Sequence, residues 1–572
     1  MHGKKVSTKT VKDAINNKIA YTSEDRKTYG LVLIDDIKTN MTMAALRNYY
    51  SNGAIVNERK ENLEAEEYKK KINVKATSIH QTVGSLSGGN QQKVVLAKWM
   101  MTQPDVLILD EPTRGIDVGA KYEIYCAIND MARAGKAVIV ISSEMQEIIG
   151  TCDRAYIINE GRIAGELSHA ELSQESIMKC IMDSNAKGEV MGTDTKKKYV
   201  NLDLKSLGMI VALVVIFAIF YVLTGGANAT PTNINNLIMQ NGYIIILATG
   251  MLLCVLTGYI DLGVGSVVAL GAACAAKLVV EQQWPVALAW LVAIAIGLGV
   301  GVFSGFFIAY LDIPPFVVTL ATMLMGRGLT YTLLKSLTVG PLPQDYAFIG
   351  TGFLPTIKID FAGGTLDLVC VGVAAVVTVC LILTELNTIK TNNKYGFANI
   401  VPWQMAVKDV VILLIVWFFF IKLGQYNGIP IQLIVLGVVV AVYHFITSRT
   451  VAGRQIYAMG GNAKAARLSG INTRHVFFWV YVNMGVLAAL AGIVLSARQG
   501  GANPKMGDGI EMDAASGGVG TIIGAVVGAL VMGVLNNGMS MCGMSTDLQK
   551  VVKGAVLLGA VVLDVTTKKK KN

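Results

Sequence analysis

Long apolar segments without charged residues dominate the second part of the chain. Between Lys205 and Asp261 there is no Asp, Glu, Lys or Arg. A helix needs about 20 consecutive apolar residues to cross the hydrocarbon core of a bilayer. The 572 residues are 53% hydrophobic and only 16% charged, whereas an ordinary soluble domain has about 25% charged residues. The sequence therefore predicts an integral membrane protein.

Eleven segments are candidates for membrane spans or parts of spans. They lie at residues 207–224, 234–256, 262–280, 286–311, 316–334, 366–384, 407–421, 429–447, 476–496, 520–535 and 551–565. Lysines at 196–198 precede the first span and lysines at 568–571 follow the last, so the positive-inside rule places both termini in the cytoplasm. An even number of crossings, about ten, is expected, and the segment at 520–535 is then predicted to be a half-helix or re-entrant piece.

The composition also predicts the domain organisation. Residues 1–185 are charge-rich and typical of a soluble domain, 186–204 form a linker, and 205–572 form the membrane domain. The first residues lack the apolar core of a signal peptide, which places the soluble domain in the cytoplasm. The net charge of +10 is explained by basic residues beside the apolar segments, and without an aromatic-basic stripe nucleic acid is not a predicted partner. Eight single cysteines indicate neither disulfides nor a zinc site.

Small and polar residues inside the apolar region predict contacts between helices. Gly297, Gly301 and Gly305 have the spacing that lets two helix backbones approach closely. Polar residues in such a region need a partner or water, and five of them are candidates for a polar path: Gln240, Asn241, Asp261, Asn536 and Asn537. The alternative, equally open, is that these side chains satisfy helix ends or helix interfaces.

Two motifs in the soluble domain point to nucleotide chemistry. The first is the start of a predicted helix, where backbone N–H groups and the positive end of the helix dipole favour a phosphate; its residues are Ser87, Gly88, Gly89, Asn90 and Gln91. The second is a buried-strand pattern at 106–109 that ends in Asp110 and Glu111. Asp110 is predicted to hold Mg²⁺ through water, and Glu111 to orient or deprotonate the attacking water. Either motif alone fits a tight turn or a cap, but the two in this order favour nucleotide hydrolysis.

These motifs resemble those of the ATP-binding cassette (ABC) family. Residues 86–92 match its signature motif and 106–111 its Walker B motif. The resemblance implies that Asp117 lies in the D-loop, that Glu24 replaces the usual Gln of the Q-loop, and that Ser143 replaces the switch histidine. The sequence at 110–121 is similar to that of the second cassette of monosaccharide-importer ATPases. This similarity implies ATP and Mg²⁺ as cofactors.

The phosphate-binding loop of that family is absent from the sequence. No G-x-x-x-x-G-K-[ST] segment occurs in the 572 residues. The chain alone is therefore not expected to hold or hydrolyse ATP. Its signature helix is instead predicted to close over ATP that is bound to another subunit, so the ATP and Mg²⁺ would be shared with a partner cassette.

The membrane domain resembles the permeases of monosaccharide ABC importers, most of all the xylose and multiple-sugar types. The stretches 257–266 and 457–472 carry the resemblance. It implies that the second stretch is a cytoplasmic coupling loop that docks on the ATPase, with the residues Gly460, Gly461, Asn462, Ala465, Ala466, Ser469 and Gly470. The alternative is a merely basic loop beside the membrane. Around 512–520 the chain is shorter than the family pattern.

The sequence as a whole predicts a truncated α/β cassette followed by an all-α permease of about ten spans in a bacterial cytoplasmic membrane. The two resemblances imply monosaccharide import, of the xylose, arabinose or galactose class. The predicted partners are a full-length sugar-importer ATPase, a second permease copy, an extracytoplasmic sugar-binding protein and membrane lipid. Two alternatives stay open: a non-catalytic permease-like scaffold, and the product of a decayed or fused gene.

Overall fold

The computed structural model describes residues 3, 5–46, 50–159, 162–182, 204–361, 364–395, 402–515, 520–545, 547–556 and 558. The chain forms two compact units. The first contains Met1–Leu202 together with Ser448–Thr473, and the second contains Asp203–Thr447 and Arg474–Asn572. The residues Ser448–Thr473 lie within the predicted membrane domain in sequence but belong to the first unit. We call them the 448–473 segment. The lysines at 196–198 and 568–571 lie outside the described residues.

The first unit is an α/β domain. Its strands are β1 (Ile19–Thr22), β2 (Val106–Asp110), β3 (Ala137–Ile141), β4 (Arg154–Asn159) and β5 (Arg162–Ser168). Strands β1, β2 and β3 form a parallel sheet in that order, and β4 and β5 form an antiparallel pair. Its helices are Val11–Asn16, Arg26–Gly30 (a π-helix), Ile37–Thr42, Glu58–Lys71, Gly88–Met100, Val118–Arg133, Met145–Thr151, Gln174–Met182, Val451–Gly461 and Ala463–Leu468, with short 3₁₀ turns at Val83–Ser85 and His169–Glu171.

The predicted strand and helix of the nucleotide motifs are both present. Strand β2 buries Leu107 and Leu109 in one hydrophobic cluster with Val94 and Val95 of Gly88–Met100. The alternation along β2 gives one buried face, because successive side chains of a strand point to opposite sides. This packing holds the helix beside the sheet.

Two short helices make up most of the 448–473 segment. Thr450 caps Val451–Gly461 by accepting a hydrogen bond from the Gly453 N–H. Asn462 caps Ala463–Leu468 through the Ala465 N–H. Because an Asn or Thr oxygen satisfies a free N–H group at each helix start, both helices have a defined beginning. The segment is therefore more ordered than a basic loop would be.

The second unit is mostly helical. Its helices are Leu204–Leu223, Pro231–Leu256, Val264–Val280, Val286–Ala309, Pro315–Leu334, Gln344–Thr351, Leu368–Tyr395, Pro402–Gly424, Ile431–Arg449, Thr473–Gln499, Ile510–Ala515 and Ile522–Met541, with a 3₁₀ turn at Ala227–Ala229. One antiparallel hairpin, β6 (Lys358–Phe361) with β7 (Gly364–Asp367), interrupts the helices. The hairpin departs from the all-α prediction for this part of the chain.

Six helices in the described part of the chain are long and apolar enough to cross a membrane. They are Pro231–Leu256, Val286–Ala309, Pro315–Leu334, Ile431–Arg449, Thr473–Gln499 and Ile522–Met541. Three other predicted spans correspond to shorter apolar helical stretches, Ala212–Leu223, Val264–Val280 and Leu368–Thr384. The predicted span at 407–421 lies within Pro402–Gly424. Most of the last predicted span, 551–565, lies outside the described residues.

The prediction that 520–535 is a half-helix is wrong. Ile522–Met541 is one helix of 20 residues, about 30 Å long at 1.5 Å per residue. It begins with Thr521, which accepts a hydrogen bond from the Gly524 N–H, and the apolar pattern continues past Asn536 and Asn537. The predicted segment ends just before these two polar residues, although a helix can place such residues against a neighbouring helix within a bundle. Residues 516–519 of the shortened stretch lie outside the described residues.

The close helix packing predicted from the glycine spacing is confirmed for one pair of helices. A Cβ atom on Gly297 would lie 2.4 Å from the Gly485 carbonyl oxygen, and one on Gly301 would lie 2.7 Å from the Tyr481 oxygen. On Gly305 it would lie 2.8 Å from the Phe478 oxygen. The three glycines therefore let Val286–Ala309 approach the backbone of Thr473–Gln499.

Gly297→Leu is expected to lower the thermal stability of the purified protein in lipid nanodiscs. The added side chain meets backbone, so the helices must separate, at a cost of about 1–3 kcal/mol. The matched control is Gly299→Leu on the same helix, where a Cβ atom would meet nothing within 4 Å. Equal melting temperatures for the two variants would contradict the packing argument.

Candidate functional site

The candidate site lies at the carboxyl edge of the parallel sheet. Glu24 follows β1, Asp110 and Glu111 stand at the end of β2, and Ser143 follows β3. The register pairs Leu109 with Thr22 and Val140. Since parallel strands end at the same edge, the structure brings these predicted residues together, and this edge is where α/β proteins bind ligands.

Asp110 accepts a hydrogen bond from the Tyr21 hydroxyl, 2.7 Å from Oδ2. Partial burial, and then this bond to the carboxylate, raise the pKa of Tyr21 to about 12, so Tyr21 stays a neutral donor at pH 7. The carboxylate is a suitable ligand for Mg²⁺. Among the described residues no group of three or more His, Cys, Asp or Glu is placed to hold a metal. The donor set fits Mg²⁺ only if other ligands come from a nucleotide or a partner.

Glu111 is held by the neighbouring strand. Its N–H donates to the Ile141 carbonyl at 2.8 Å, and its Oε1 accepts from the Ser143 N–H at 2.8 Å. The backbone of Glu111 has φ +47°, a conformation that costs energy for a residue other than glycine. The Ser143 backbone thus orients the carboxylate, a contact that the sequence does not predict.

The start of Gly88–Met100 is shaped by close packing. Ser87 is the N-cap residue, and its Oγ accepts from Asn90 Nδ2 at 2.9 Å. A Cβ atom on Gly88 would lie 2.8 Å from Arg26 Nη2, and one on Gly89 would lie 2.6 Å from Ala120 Cβ. The glycines are therefore needed for packing as well as for open N–H groups.

The remaining predicted nucleotide residues have structural contacts. Asp117 caps Val118–Arg133 by accepting from the Ala120 N–H at 3.2 Å. Glu24 forms an ion pair with Arg114. Gln91 is buried, and its Nε2 donates to the Val83 and Leu86 carbonyls. These contacts hold the loops around the sheet edge.

The 448–473 segment contacts the same unit through Asn462. Its Nδ2 lies 3.2, 3.1 and 3.0 Å from the carbonyl oxygens of Lys27, Thr28 and Leu31. Beside it, a Cβ atom on Gly461 would lie 2.3 Å from Val32 Cγ1. Of the other predicted loop residues, Ala465, Ala466 and Ser469 are buried and Gly470 has φ +86°. Gly460 is exposed and lies near the end of the helix Val451–Gly461.

A buried charge cluster anchors the segment. Glu61 has no exposed surface, and its Oε2 lies 3.1 Å from Arg454 Nη2 and 3.6 Å from Lys38 Nζ. The Thr42 hydroxyl donates to Glu61 Oε1 at 2.7 Å. Arg454 also donates to Thr39 Oγ1 at 2.6 Å. The sequence does not predict these roles of Glu61 and Lys38, because Glu61 is one of five glutamates in the charged helix Glu58–Lys71 and nothing local distinguishes it.

Lys98 is a second buried contact of the segment, here with the signature helix Gly88–Met100. Its Nζ donates to the Gly30 carbonyl at 2.7 Å and to Ser469 Oγ at 3.2 Å. Burial lowers the pKa of Lys98 to about 7. Lys98 lies six positions beyond the signature motif, and its partner Ser469 is 371 positions away in the chain, so no local sequence pattern indicates this contact.

The polar residues of the second unit fall into separate groups. Asn537 exchanges hydrogen bonds with Asn233 and donates to Gln240 Oε1 at 3.3 Å. Asn536 donates to Asp513 Oδ2 at 3.3 Å, and Lys553 Nζ donates to the same oxygen at 2.8 Å.

Two predicted path residues have local partners. Asn241 donates to the Leu237 carbonyl of its own helix at 2.7 Å. Asp261 accepts from the Gly263 N–H at 2.8 Å. The structure therefore brings Gln240 and Asn537 together, but gives Asn241 and Asp261 contacts within their own stretch of chain. The polar path stays a prediction.

The sheet edge, the signature helix and the apolar helices define a subunit of an ABC transporter. The profile of the branched-chain amino acid transport system / permease component family matches residues 233–561, more than half of the chain. The ABC transporter family profile matches residues 2–114. The chain belongs to the permease family named first and carries a cassette ahead of it, so the resemblance of each part is confirmed.

Individual relatives agree with this division. The xylose transport system permease protein XylH of Escherichia coli is 35% identical over 384 residues, 65% of this chain and 94% of that protein. The L-arabinose transport ATP-binding protein AraG of Geobacillus stearothermophilus is 52% identical over 178 residues, 31% of this chain and 34% of that protein. The ribose import ATP-binding protein RbsA of Clostridium perfringens is 48% identical over 185 residues, 32% of this chain and 37% of that protein. The chain thus spans about a third of the length of these two ATP-binding proteins.

Proposed function

We propose that this chain is the membrane component of an ATP-driven monosaccharide importer and that its 448–473 segment transmits movement of the cassette to the membrane helices. The observation that carries the proposal is the packing of this segment in the cassette unit. Polar contacts of the buried residues Glu61 and Lys98 and of the half-buried Asn462 hold it there. The segment lies in the chain between the helices Ile431–Arg449 and Thr473–Gln499, so a shift of the segment pulls on both.

The cassette supplies part of a nucleotide site. Ser87, Gly88 and Gly89 present the start of a helix to the phosphates of an ATP molecule that another cassette holds. Asp110 is the Mg²⁺ ligand and Glu111 the group that orients the attacking water. Bound Mg·ATP would supply the energy of hydrolysis. The residues of this chain would position its phosphates and the attacking water. The 572 residues contain no G-x-x-x-x-G-K-[ST] loop, so these residues by themselves are expected not to hydrolyse ATP.

The proposal includes partners and a location. The chain works in a bacterial cytoplasmic membrane with both termini in the cytoplasm, beside a second permease copy and a full-length sugar-importer ATPase. An extracytoplasmic binding protein delivers the sugar. Similarity to proteins named for xylose, L-arabinose and ribose supports a pentose or related monosaccharide as the substrate.

A second candidate function is a non-catalytic scaffold. The buried contacts that hold the 448–473 segment in the cassette unit favour it, since a cassette can dock partners through such surfaces without hydrolysing ATP. The two functions differ in one measurable property, because only the importer couples ATP hydrolysis to sugar movement.

The test is reconstitution in lipid vesicles and nanodiscs, first of the chain alone and then with a full-length sugar-importer ATPase and a sugar-binding protein. ATP hydrolysis and uptake of labelled xylose, arabinose and galactose are measured. The expected result is no hydrolysis by the chain alone, and both activities in the assembly. Glu111→Gln is expected to lower hydrolysis in the assembly, because an amide cannot accept the proton of the water.

Two outcomes would contradict the proposal. ATP hydrolysis by the chain alone would show that it contains a phosphate site of its own. Hydrolysis in the assembly without uptake of any sugar would favour the scaffold.

A further inference from the structure

We propose that Lys98 is a positioning residue that links the signature helix to the 448–473 segment and so sets how much sugar moves for each ATP hydrolysed. This inference rests on the proposed function. Its basis is the contact between Lys98, in the last turn of Gly88–Met100, and Ser469 of the 448–473 segment, 371 positions further along the chain. Neither residue belongs to a nucleotide motif.

Lys98 joins three elements at one buried point. It lies in the last turn of Gly88–Met100 and has about 1% of its surface exposed. Its ammonium group donates to the Gly30 carbonyl, at the end of the π-helix Arg26–Gly30, at 2.7 Å. It also donates to the hydroxyl of Ser469, the residue that ends Ala463–Leu468, at 3.2 Å.

Both hydrogen-bond acceptors of Lys98 are held by further hydrogen bonds at or next to them. Ser469 Oγ donates to the Ala465 carbonyl at 2.8 Å, so the hydroxyl moves with its helix. Next to Gly30, the Leu31 carbonyl accepts a hydrogen bond from Asn462 at 3.0 Å. A displacement of Lys98 therefore acts on both helices of the segment.

The other end of the signature helix is the proposed nucleotide contact. Ser87 caps the start of the helix and Lys98 lies in its last turn, about 16 Å further along the helix axis at 1.5 Å per residue. Because most of the helix is buried against the sheet, it moves as a rigid body. Movement at Ser87 on ATP binding is then transmitted to Ser469 through Lys98.

A purely structural role does not require a lysine at this position. Its hydrogen bonds go to a carbonyl and a hydroxyl, which are neutral groups and do not offset the desolvation cost of the charged form. An unbranched apolar side chain of similar length would fill the same space without that cost. Methionine at position 98 is thus expected to keep the fold and lose the link.

The experiment measures moles of sugar taken up per mole of ATP hydrolysed in the reconstituted assembly. Lys98→Met is expected to lower this ratio at least about fivefold, the lower range of coupling between two sites, while hydrolysis continues. Lys98→Arg restores donors and is expected to recover part of the ratio. The matched control is Lys93→Met on the same helix, since Lys93 is also buried but contacts Asn73 and Glu123 of the cassette.

An unchanged ratio in Lys98→Met would overturn the inference, and so would an equal fall in Lys93→Met. If Lys98→Met fails to assemble, Ser469→Ala decides the question: a lowered ratio supports the link and an unchanged ratio overturns it. Failure of the wild-type assembly to take up sugar is a different result, which contradicts the proposed function itself.

Discussion

Arg454→Met is expected to release the 448–473 segment from the cassette unit and to lower sugar uptake by the assembly more than any other single change in the segment. Glu61, the partner of Arg454, has no exposed surface and would keep only Lys38 Nζ, at 3.6 Å, as a nearby cation. Removing one member of a buried ion pair costs about 3–5 kcal/mol. Two measurements check this: the melting temperature in nanodiscs, and the uptake rate.

The matched control is Arg449→Met. Arg449 also pairs with an acidic residue of Glu58–Lys71, namely Glu58, but its side chain is 55% exposed. An exposed pair contributes about 0–1 kcal/mol, so this variant should keep nearly wild-type stability and uptake. Equal losses in the two variants would mean that burial of Glu61 does not determine the strength of docking.

The nucleotide motifs were predictable because each is local in sequence. A Ser followed by two glycines predicts a helix start, and four apolar residues before Asp110 predict a buried strand that ends in a carboxylate. The structure has both elements at those positions. Elements formed by residues close together in the sequence can be predicted from a short sequence pattern.

The docking contacts were not predictable in the same way. Glu61 and Arg454 are separated by 393 positions, and Lys98 and Ser469 by 371. A single Glu in the charged helix Glu58–Lys71 looks like an exposed residue, and only the fold shows that it is buried. The resemblance to permeases indicated a docking loop at 457–472, but not the side chains that hold it.

The membrane helices illustrate a second limit. Hydropathy located the helices, but it ended one of them at Asn536 and Asn537, which the structure places inside Ile522–Met541. Asn537 pairs with Asn233 of another helix. A polar residue therefore marks a helix end or a helix contact, and hydropathy alone does not distinguish the two.

Ser87→Asp is expected to lower ATP hydrolysis by the assembly about 100-fold without loss of the fold. Ser87 is exposed and begins the signature helix. Asp is a good residue for capping a helix, and its charge is favourable at the positive end of the helix dipole. The same charge would repel the phosphates of an ATP molecule held by the partner, and a repulsion of about 3–4 kcal/mol at 4 Å corresponds to about 100-fold or more in rate.

The control variant Ser87→Asn tests the effect of the added charge separately from the effect of the larger side chain. Asn has the same size as Asp, caps helices equally well and can accept the hydrogen bond that Asn90 donates to Ser87. Hydrolysis by this variant is expected to stay within a few-fold of wild type. If both variants lose activity, the hydroxyl itself is required. If neither does, Ser87 faces no nucleotide, and the signature helix of this chain does not complete a partner's ATP site, which would leave docking as the function of the cassette.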